Sequence, residues 1–301
     1  MAKQKNNHGA SKAGDKKAMQ LMTELVESGS DQEFAQKINL LGYSVIPKYS
    51  YGKLSEPGFC LATIYEKANP NVFFVLNRGL SWQHQNLGGF YAELPDILAV
   101  LGSNKPADSA MLPKKIYDIR REETIEKMTV IGHSRGALVV QHNADNECFN
   151  PSYYSNTRLI AVESPGVNGL KVKNTNTIGY KAFPNFINCW GAMPFKDNTM
   201  IHNCTKLINK GFFEMSCDWH GMQSIYNNFN RQLPLKGWIT SDLAYMNFLR
   251  LGGKMDWLSM SLMVSGKLIH HSFMEGDAFP QKIEEDECKV NVLGAAAEEV
   301  I

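Results

Sequence analysis

Cysteine is scarce in this chain and never occurs as a closely spaced pair. Six cysteines are found among 301 residues, and no C-x-x-C motif is present. Secreted domains held by disulfides have a denser cysteine pattern, and thiolate metal sites need ligands paired at short spacing. His270 and His271 are adjacent, but no further ligands follow at a metal-binding spacing. We therefore expect no disulfide framework, no metal and no other cofactor.

A charge excess of either sign is also lacking. Lys and Arg total 31 against 30 Asp and Glu, so the formal net charge is +1 and no global field would hold a nucleic acid. Long apolar runs are absent too, since the weakly charged stretch 255–273 is interrupted by polar residues. With 44% hydrophobic and 20% charged residues, the composition is that of a soluble globular protein.

The N-terminal stretch 1–17 has five lysines and no hydrophobic periodicity. It lacks the apolar core of a Sec-type signal peptide, so we expect a cytoplasmic protein by default, with signal-independent secretion as the alternative. We predict that residues 1–17 form a disordered basic arm. A peripheral contact of this arm with an anionic membrane is the second interpretation.

Downstream of the arm, helical and strand-like patterns alternate. Apolar spacing predicts helix over 18–41, then strands at 43–46, 59–65 and 71–76. Further helices are predicted at 90–101, 112–127 and 135–144, and further strands at 128–131, 158–163 and 185–190. This alternation is typical of an α/β fold with a mostly parallel central sheet covered by helices. We predict an α/β domain over 18–234 and a helical C-terminal extension with an acidic tail over 235–301.

The strongest local motif is the G-x-S-x-G sequence from Gly132 to Gly136, which lies between a predicted strand and a predicted helix. In that context the serine occupies a tight strand-to-helix turn that exposes its hydroxyl above the sheet. We predict that Ser134 is a nucleophile and that the backbone N–H of Arg135 faces the developing oxyanion. The Arg135 side chain is either a cation at the mouth of a pocket or a solvent-facing residue of the first helical turn.

A second motif follows the strand at 71–76, where Asn77-Arg78-Gly79-Leu80-Ser81-Trp82 resembles the R-G-T or R-G-S step and Trp-containing loop of the class 3 (fungal-type) lipase family. Together with the Gly132–Gly136 motif, the resemblance extends over about 71–228. It implies an α/β-hydrolase fold and a second oxyanion donor at the amide of Leu80. Leu80 departs from the family pattern because it replaces a small hydroxyl residue, a role that the neighbouring Ser81 could assume.

Hydrolases of this fold carry their catalytic groups in the chain order Ser, acid, His. His220 is the predicted base, because it follows Ser134 and resembles the family pattern of His followed by an apolar residue and a Tyr. His202 is the second candidate. His133, beside the serine, is expected to pack under the turn.

The acid is the weakest element of the pattern. In the family an Asp follows the strand that corresponds to 185–190, but Gly191 occupies that place here. Asp197, farther along the same loop, is our predicted acid, and Asn188 is an alternative that would orient the imidazole as an amide. If neither serves, Ser134 and His220 would act as a dyad. The segment 160–168 resembles a family strand and loop, and we assign it no chemistry.

These residues predict a serine hydrolase that cleaves carboxylic esters, of lipid or acylglycerol type, through an acyl-enzyme on Ser134. The expected partner is a small-molecule ester or lipid, with no nucleic acid and no obligate protein partner. Two alternatives stand beside this hypothesis. One is a non-catalytic binding protein on a lipase-like scaffold, and the other is a thioesterase or peptidase of the same fold.

Overall fold

The structure is a computed structural model that describes residues 8–56, 58–80, 105–167, 170–182, 185, 188, 194–195, 197–203 and 218–234. Within these ranges lie the strands β1 (Tyr43–Val45), β2 (Leu61–Glu66), β3 (Asn69–Asn77), β4 (Lys127–His133), β5 (Thr157–Val162), β6 (Thr177–Lys181), β7 (Asn198–Ile201) and β8 (Gln232–Pro234). The α-helices are α1 (His8–Val26), α2 (Asp31–Leu40), α3 (Met111–Glu122), α4 (Arg135–Asn143) and α5 (Met222–Asn227).

All eight strands belong to one sheet, and they follow one another in chain order from β1 to β8. Strands β3 to β7 are parallel, whereas β1 and β2 at one edge and β8 at the other pair antiparallel with their neighbours. Within the described ranges, no helix is both long and apolar enough to cross a bilayer. The predicted α/β-hydrolase-like fold with a mostly parallel sheet is confirmed. The predicted helix at 90–101 and the extension 235–301 lie outside the described residues.

Two hydrophobic clusters lie on opposite faces of the sheet, because successive side chains of a strand point to opposite sides. On β4, Ile131 packs with α1, α2 and α5, while Met128 and Val130 pack with α3 and α4. Strands β3 and β5 alternate in the same way. The central strands are thus buried on both faces, which explains why their sequences read as continuous apolar runs.

Helix α1 corrects the prediction of a disordered arm over 1–17, since residues 8–17 are helical. Its Asp15 is buried and forms a bidentate ion pair with Arg158 of β5, with Nε–Oδ1 at 2.5 Å and Nη2–Oδ2 at 2.7 Å. The hydroxyl of Tyr180, on β6, donates to the same carboxylate at 2.7 Å. The lysine-rich composition concealed the first half of this helix, because the side chain buried there is the Asp15 carboxylate, whose partners come from distant strands.

The predicted strand at 185–190 is wrong at the two residues described there, since Asn185 lies in a loop and Asn188 in a turn. The strand beside β5 is β6 instead, where Gly179 pairs with Ala161 on one side and Asn198 on the other. The segment Thr177–Lys181 is short and contains a glycine and a lysine. Neither residue type is favoured in strands, so local propensity did not indicate β6.

Candidate active site

Ser134 occupies the turn between β4 and α4, at the carboxyl edge of the parallel strands. Its backbone has φ 55° and ψ −122°, and residues other than glycine rarely adopt a positive φ of this size. The Ser134 N–H donates to the carbonyl of Val162 at 2.9 Å, so the turn is tied to the end of β5. The predicted strand–turn–helix context of the G-x-S-x-G motif is therefore present.

Close backbone packing explains the glycines around this turn. A Cβ on Gly132 would lie 2.1 Å from the carbonyl oxygen of Gly136, and one on Gly136 would lie 2.0 Å from that of Asn77. Gly79, in the loop after β3, lies so close that its own Cβ would be 2.8 Å from the Ser134 Cβ. No other residue type fits these positions without displacing backbone.

Glu163 directly follows β5 and is fully buried. Its φ is 52°, and among the described residues Ser134 and Glu163 are the two residues other than glycine with positive φ. Because His133 pairs with Val162 across β4 and β5, these two residues leave the sheet side by side. Strained backbone of this kind concentrates at functional sites, so the pair marks this edge of the sheet as the candidate site.

His220 lies immediately before α5, and its Nδ1 is 3.0 Å from Oε2 of Glu163. The segment around it is held by Asn203, whose Nδ2 donates to the Trp219 carbonyl at 2.7 Å and to the Ser224 hydroxyl at 2.9 Å. Burial by itself would raise the pKa of the Glu163 carboxyl. The hydrogen bond and charge of His220, with the bonds described below, outweigh burial and hold that pKa below its usual value.

His133, the residue before Ser134, packs against His220 with ring centroids 4.7 Å apart. Its Nε2 is 2.8 Å from the His220 carbonyl oxygen, and since a carbonyl only accepts, this nitrogen carries the proton and donates. Burial, together with repulsion from the charge of His220, lowers the pKa of His133 to about 3. His133 is therefore a neutral residue that packs under the turn and holds the backbone of His220.

The structure places Glu163, and not Asp197, beside the predicted base. Asp197 is exposed and immediately precedes β7, so it lies at the amino edge of the parallel strands, opposite to Ser134. Its carbonyl accepts from the Gly179 N–H at 2.8 Å. The prediction of Asp197 depended on a strand at 185–190, whereas the strand that pairs with β5 is β6, which ends at Lys181.

Asn188, the alternative considered for contact with the imidazole, contacts the carboxylate instead. Its Nδ2 donates to Glu163 Oε1 at 2.9 Å, and Asn185 Nδ2 donates to Oε2 at 3.0 Å. The Ala182 N–H adds a bond to Oε1 at 2.5 Å. The loop after β6, where the family pattern would carry its acid, thus supplies amides that bind a carboxylate from the neighbouring strand.

Leu80 and Arg135 are the two residues whose amides the motifs predict to bind the oxyanion. Leu80 follows Gly79 in the chain, and its side chain packs against the small cluster of Leu138 and Val167. An apolar contact therefore occupies the place where the family carries a hydroxyl. The neighbouring Ser81 lies outside the described residues.

The Arg135 side chain is fully buried, which overturns the interpretation of a solvent-facing arginine. Its guanidinium lies 5.2 Å from the Phe59 ring centroid and 3.7 Å from Oδ2 of Asp108. Phe59 and Asp108 also line an open surface cavity beside the loop 51–58. The arginine is thus buried behind two residues of that cavity, while its backbone N–H opens helix α4.

The other candidates have different surroundings. His202 is buried at the end of β7, where its Nδ1 accepts from Arg231 Nη2 at 2.9 Å. Asp218 is exposed, and its carbonyl accepts from the Gly221 N–H at 3.2 Å. In the part of the chain that the structure describes, no three or more His, Cys, Asp or Glu side chains are grouped so as to hold a metal.

Glu163 is the residue that the sequence analysis missed. A signal was present, because Glu163 is the last residue of the predicted strand at 158–163 and precedes Ser164-Pro165-Gly166. The carboxyl ends of adjacent parallel strands meet at one edge, which is where ligands bind in open α/β sheets. A carboxylate at the end of the strand next to the nucleophile strand is therefore a candidate by position alone.

Comparison with known proteins yields structural neighbours only. No family model matches the chain, and no curated protein matches it. Among solved structures it is similar to the Lip2 lipase from Yarrowia lipolytica, at 9% identity and TM-score 0.46 over 85% of this chain and 94% of that one. It is also similar to a mutant form of MDLA from Penicillium cyclopium, at 11% identity and TM-score 0.48 over 86% and 96%.

Proposed function

We propose that the protein is a serine hydrolase that cleaves carboxylic esters through an acyl-enzyme on Ser134. His220 is the general base, and Glu163 is the acid that orients it, in place of the predicted Asp197. The observation that carries this proposal is the 3.0 Å contact between His220 Nδ1 and Glu163, formed at the same sheet edge as the strained Ser134 turn.

In the first half of the reaction, Ser134 Oγ attacks the ester carbonyl carbon and its proton passes to His220 Nε2. Nε2 is the ring nitrogen that remains for this task, because Nδ1 is bonded to Glu163. The C–O bond of the tetrahedral intermediate then breaks, the imidazolium returns the proton to the leaving alkoxide, and an alcohol departs. The ionised Glu163 stabilises the imidazolium while it exists.

In the second half, His220 takes a proton from water, whose oxygen attacks the acyl carbonyl. Breakdown of this second intermediate releases a carboxylic acid and returns the proton to Ser134. The amides of Leu80 and Arg135 bind the oxyanion in both halves. Gly79 supports this assignment, because its contact with Ser134 brings the loop that carries Leu80 against the nucleophile.

The substrate class that we propose is a lipid or acylglycerol ester. Support comes from the sequence motifs at Arg78–Trp82 and Gly132–Gly136, which resemble those of the class 3 lipases. The near-zero net charge is in keeping with a neutral substrate, since such an ester needs no electrostatic steering.

A fluorophosphonate probe and a short-chain nitrophenyl ester test the proposal together. The wild-type protein should be labelled and should turn over the ester, whereas Ser134→Ala should lose labelling and at least about 10³-fold in kcat. Ser155→Ala is the matched control, because it alters an exposed serine that lies outside the Ser134 turn. This variant should behave as wild type. Equal labelling of wild type and Ser134→Ala would overturn the proposal.

Substrate class is tested separately by comparing acylglycerol, thioester and peptide substrates at one enzyme concentration. Preference for a thioester or a peptide would contradict the lipid assignment and leave the nucleophile in place. Absence of labelling together with absence of turnover of all three would favour the non-catalytic binding protein.

A further inference from the structure

The Glu163 carboxylate accepts hydrogen bonds from residues that follow β6, in addition to its contact with His220. Oε1 accepts from the Ala182 N–H and from Asn188 Nδ2, and Oε2 accepts from Asn185 Nδ2 and His220 Nδ1. Each carboxylate oxygen therefore has two donors. Three of these four donors come from the loop after β6, and all three are uncharged amide groups.

The orientation of the two asparagine side chains is determined by a reciprocal pair of bonds. The Asn185 N–H donates to Asn188 Oδ1 at 3.1 Å, and the Asn188 N–H donates to Asn185 Oδ1 at 3.2 Å. Because each oxygen is held by a backbone N–H, each amide nitrogen must point the other way, toward Glu163. The Lys181 Nζ donates to the Asn188 carbonyl at 2.5 Å and fixes the same turn from the end of β6.

An amide nitrogen can only donate, so it stabilises the ionised carboxylate and not a protonated one that would present its own O–H. During hydrolysis His220 alternates between neutral and charged, and a fully buried carboxylate facing a neutral imidazole would otherwise tend to take up a proton. Neutral donors act equally in both states of the imidazole. They therefore stabilise the carboxylate in the half of the cycle when the charge on His220 is absent.

We propose that Asn185 and Asn188 are positioning residues that keep Glu163 ionised and its Oε2 aligned on His220 through the whole reaction cycle. This inference rests on the proposed function. The two asparagines contact neither substrate nor reacting atoms, and they act only through Glu163.

The other titratable groups that face Glu163 are few among the described residues. His220 approaches from the segment before α5 and His133 from the end of β4, and Lys181 lies behind Asn188. Tyr180 accepts the Glu163 N–H through its carbonyl, while its hydroxyl is engaged with Asp15. His133 is neutral above a pH of about 3 and burial raises the pKa of the Tyr180 phenol, so neither changes charge over the neutral range.

Asn188→Asp tests the proposal with a side chain of the same size. The new side chain keeps the Oδ1 that accepts from the Asn185 N–H, and it loses the donor to Glu163 together with the bond to the Ala182 carbonyl at 3.2 Å. Ionised, it would repel Glu163, and we expect kcat to fall about 10- to 100-fold at pH 8 with KM little changed. Protonated, it regains a donor, so the ratio of variant to wild-type kcat should rise as the pH is lowered.

Asn174→Asp is the matched control. Asn174 is another buried asparagine whose Nδ2 donates to two carbonyls, those of Ala144 and Phe149, and whose Oδ1 caps the Asn176 N–H. The same substitution there should lower the melting temperature and leave the pH profile of kcat unchanged. A purely structural role of Asn188 would give that same result, and a wild-type profile in Asn188→Asp would overturn the proposal.

Two further measurements keep the test independent of one variant. Asn185→Asp removes the donor to Oε2 and should show the same pH-dependent defect. In the wild-type protein, ¹⁵N NMR should find His220 Nδ1 protonated, and transfer of that proton to Glu163 would contradict the proposal. Absence of ester turnover and of fluorophosphonate labelling in wild type would instead refute the proposed function.

Discussion

The turns that carry Ser134 and Glu163 lie side by side and share a positive φ, yet they are stabilised in opposite ways. The Ser134 turn depends on space, since Gly132 and Gly136 bring backbone into contact where no Cβ fits. The Glu163 turn depends on hydrogen bonds, because donors from the β6 loop and from His220 surround its carboxylate. The Ser134 turn therefore does not tolerate added side-chain volume. The Glu163 turn does not tolerate a side chain that puts a donor where an acceptor is needed.

The largest effect is expected at the Ser134 turn. In Gly136→Ala the added Cβ would lie 2.0 Å from the Asn77 carbonyl oxygen, so the unfolding free energy should fall by more than about 3 kcal/mol, measured by urea denaturation. Gly14→Ala is the control, because only the flexible end of Lys127 lies near, at 3.4 Å. Within helix α1 that change should stabilise by about 0.5–1 kcal/mol. Equal stability of the two variants would contradict the steric account.

The Glu163 turn should be disrupted by a substitution that changes the hydrogen-bonding groups of the side chain and keeps its size. Glu163→Gln places an amide nitrogen among donors and removes the charge that stabilises the His220 imidazolium. We expect kcat on a nitrophenyl ester to fall by about 10³- to 10⁴-fold, with a stability loss of about 1–3 kcal/mol. Asp197→Asn should retain wild-type kcat, and a larger loss in that variant than in Glu163→Gln would restore Asp197 as the acid.

The effect that is smallest at neutral pH concerns His133, which joins the two turns. An unfolded histidine takes up a proton below a pH of about 6.5, whereas buried His133 stays neutral down to a pH of about 3. Its contribution to stability is therefore complete above pH 6.5 and is lost as the pH falls toward 3, by up to about 1.4 kcal/mol per pH unit. The lowered pKa of Glu163 acts in the same direction at more acidic pH.

His133→Gln removes the titrating group and can still donate to the His220 carbonyl. We expect its unfolding free energy to vary less steeply with pH than that of wild type between pH 6.5 and 4.5. Denaturation series at several pH values would measure both slopes. Identical slopes would show that His133 is not held neutral in the folded state.

The same contrast explains what could be predicted from the sequence. The Ser134 turn is a local feature, and glycines two residues on either side of a serine, with a strand before and a helix after, are visible in one short window. The Glu163 site is assembled from β5, the β6 loop and the segment before α5. No short stretch of sequence contains these three segments. The apolar residues at 185–190 predicted a strand there, and the acid was therefore assigned to the loop that follows it.

The fold was predictable for a related reason. Strands β3, β4 and β5 are buried on both faces by helices. Their sequences are therefore continuous apolar runs, which predict buried strands. Strand β6 is specified by its neighbours, and the first half of α1, up to residue 17, by the ion pair of Asp15 with Arg158. Both elements therefore depend on tertiary contacts that composition and periodicity do not record.

The attachment of α1 also bears on how the chain folds. Asp15 is 143 residues from Arg158 and 165 from Tyr180 along the chain, so during translation the helix precedes its anchors by most of the domain. Contacts of such long sequence separation slow folding, and until they form the apolar face of α1 has no sheet to cover. We expect this helix to dock late on the ribosome, when β5 and β6 have emerged.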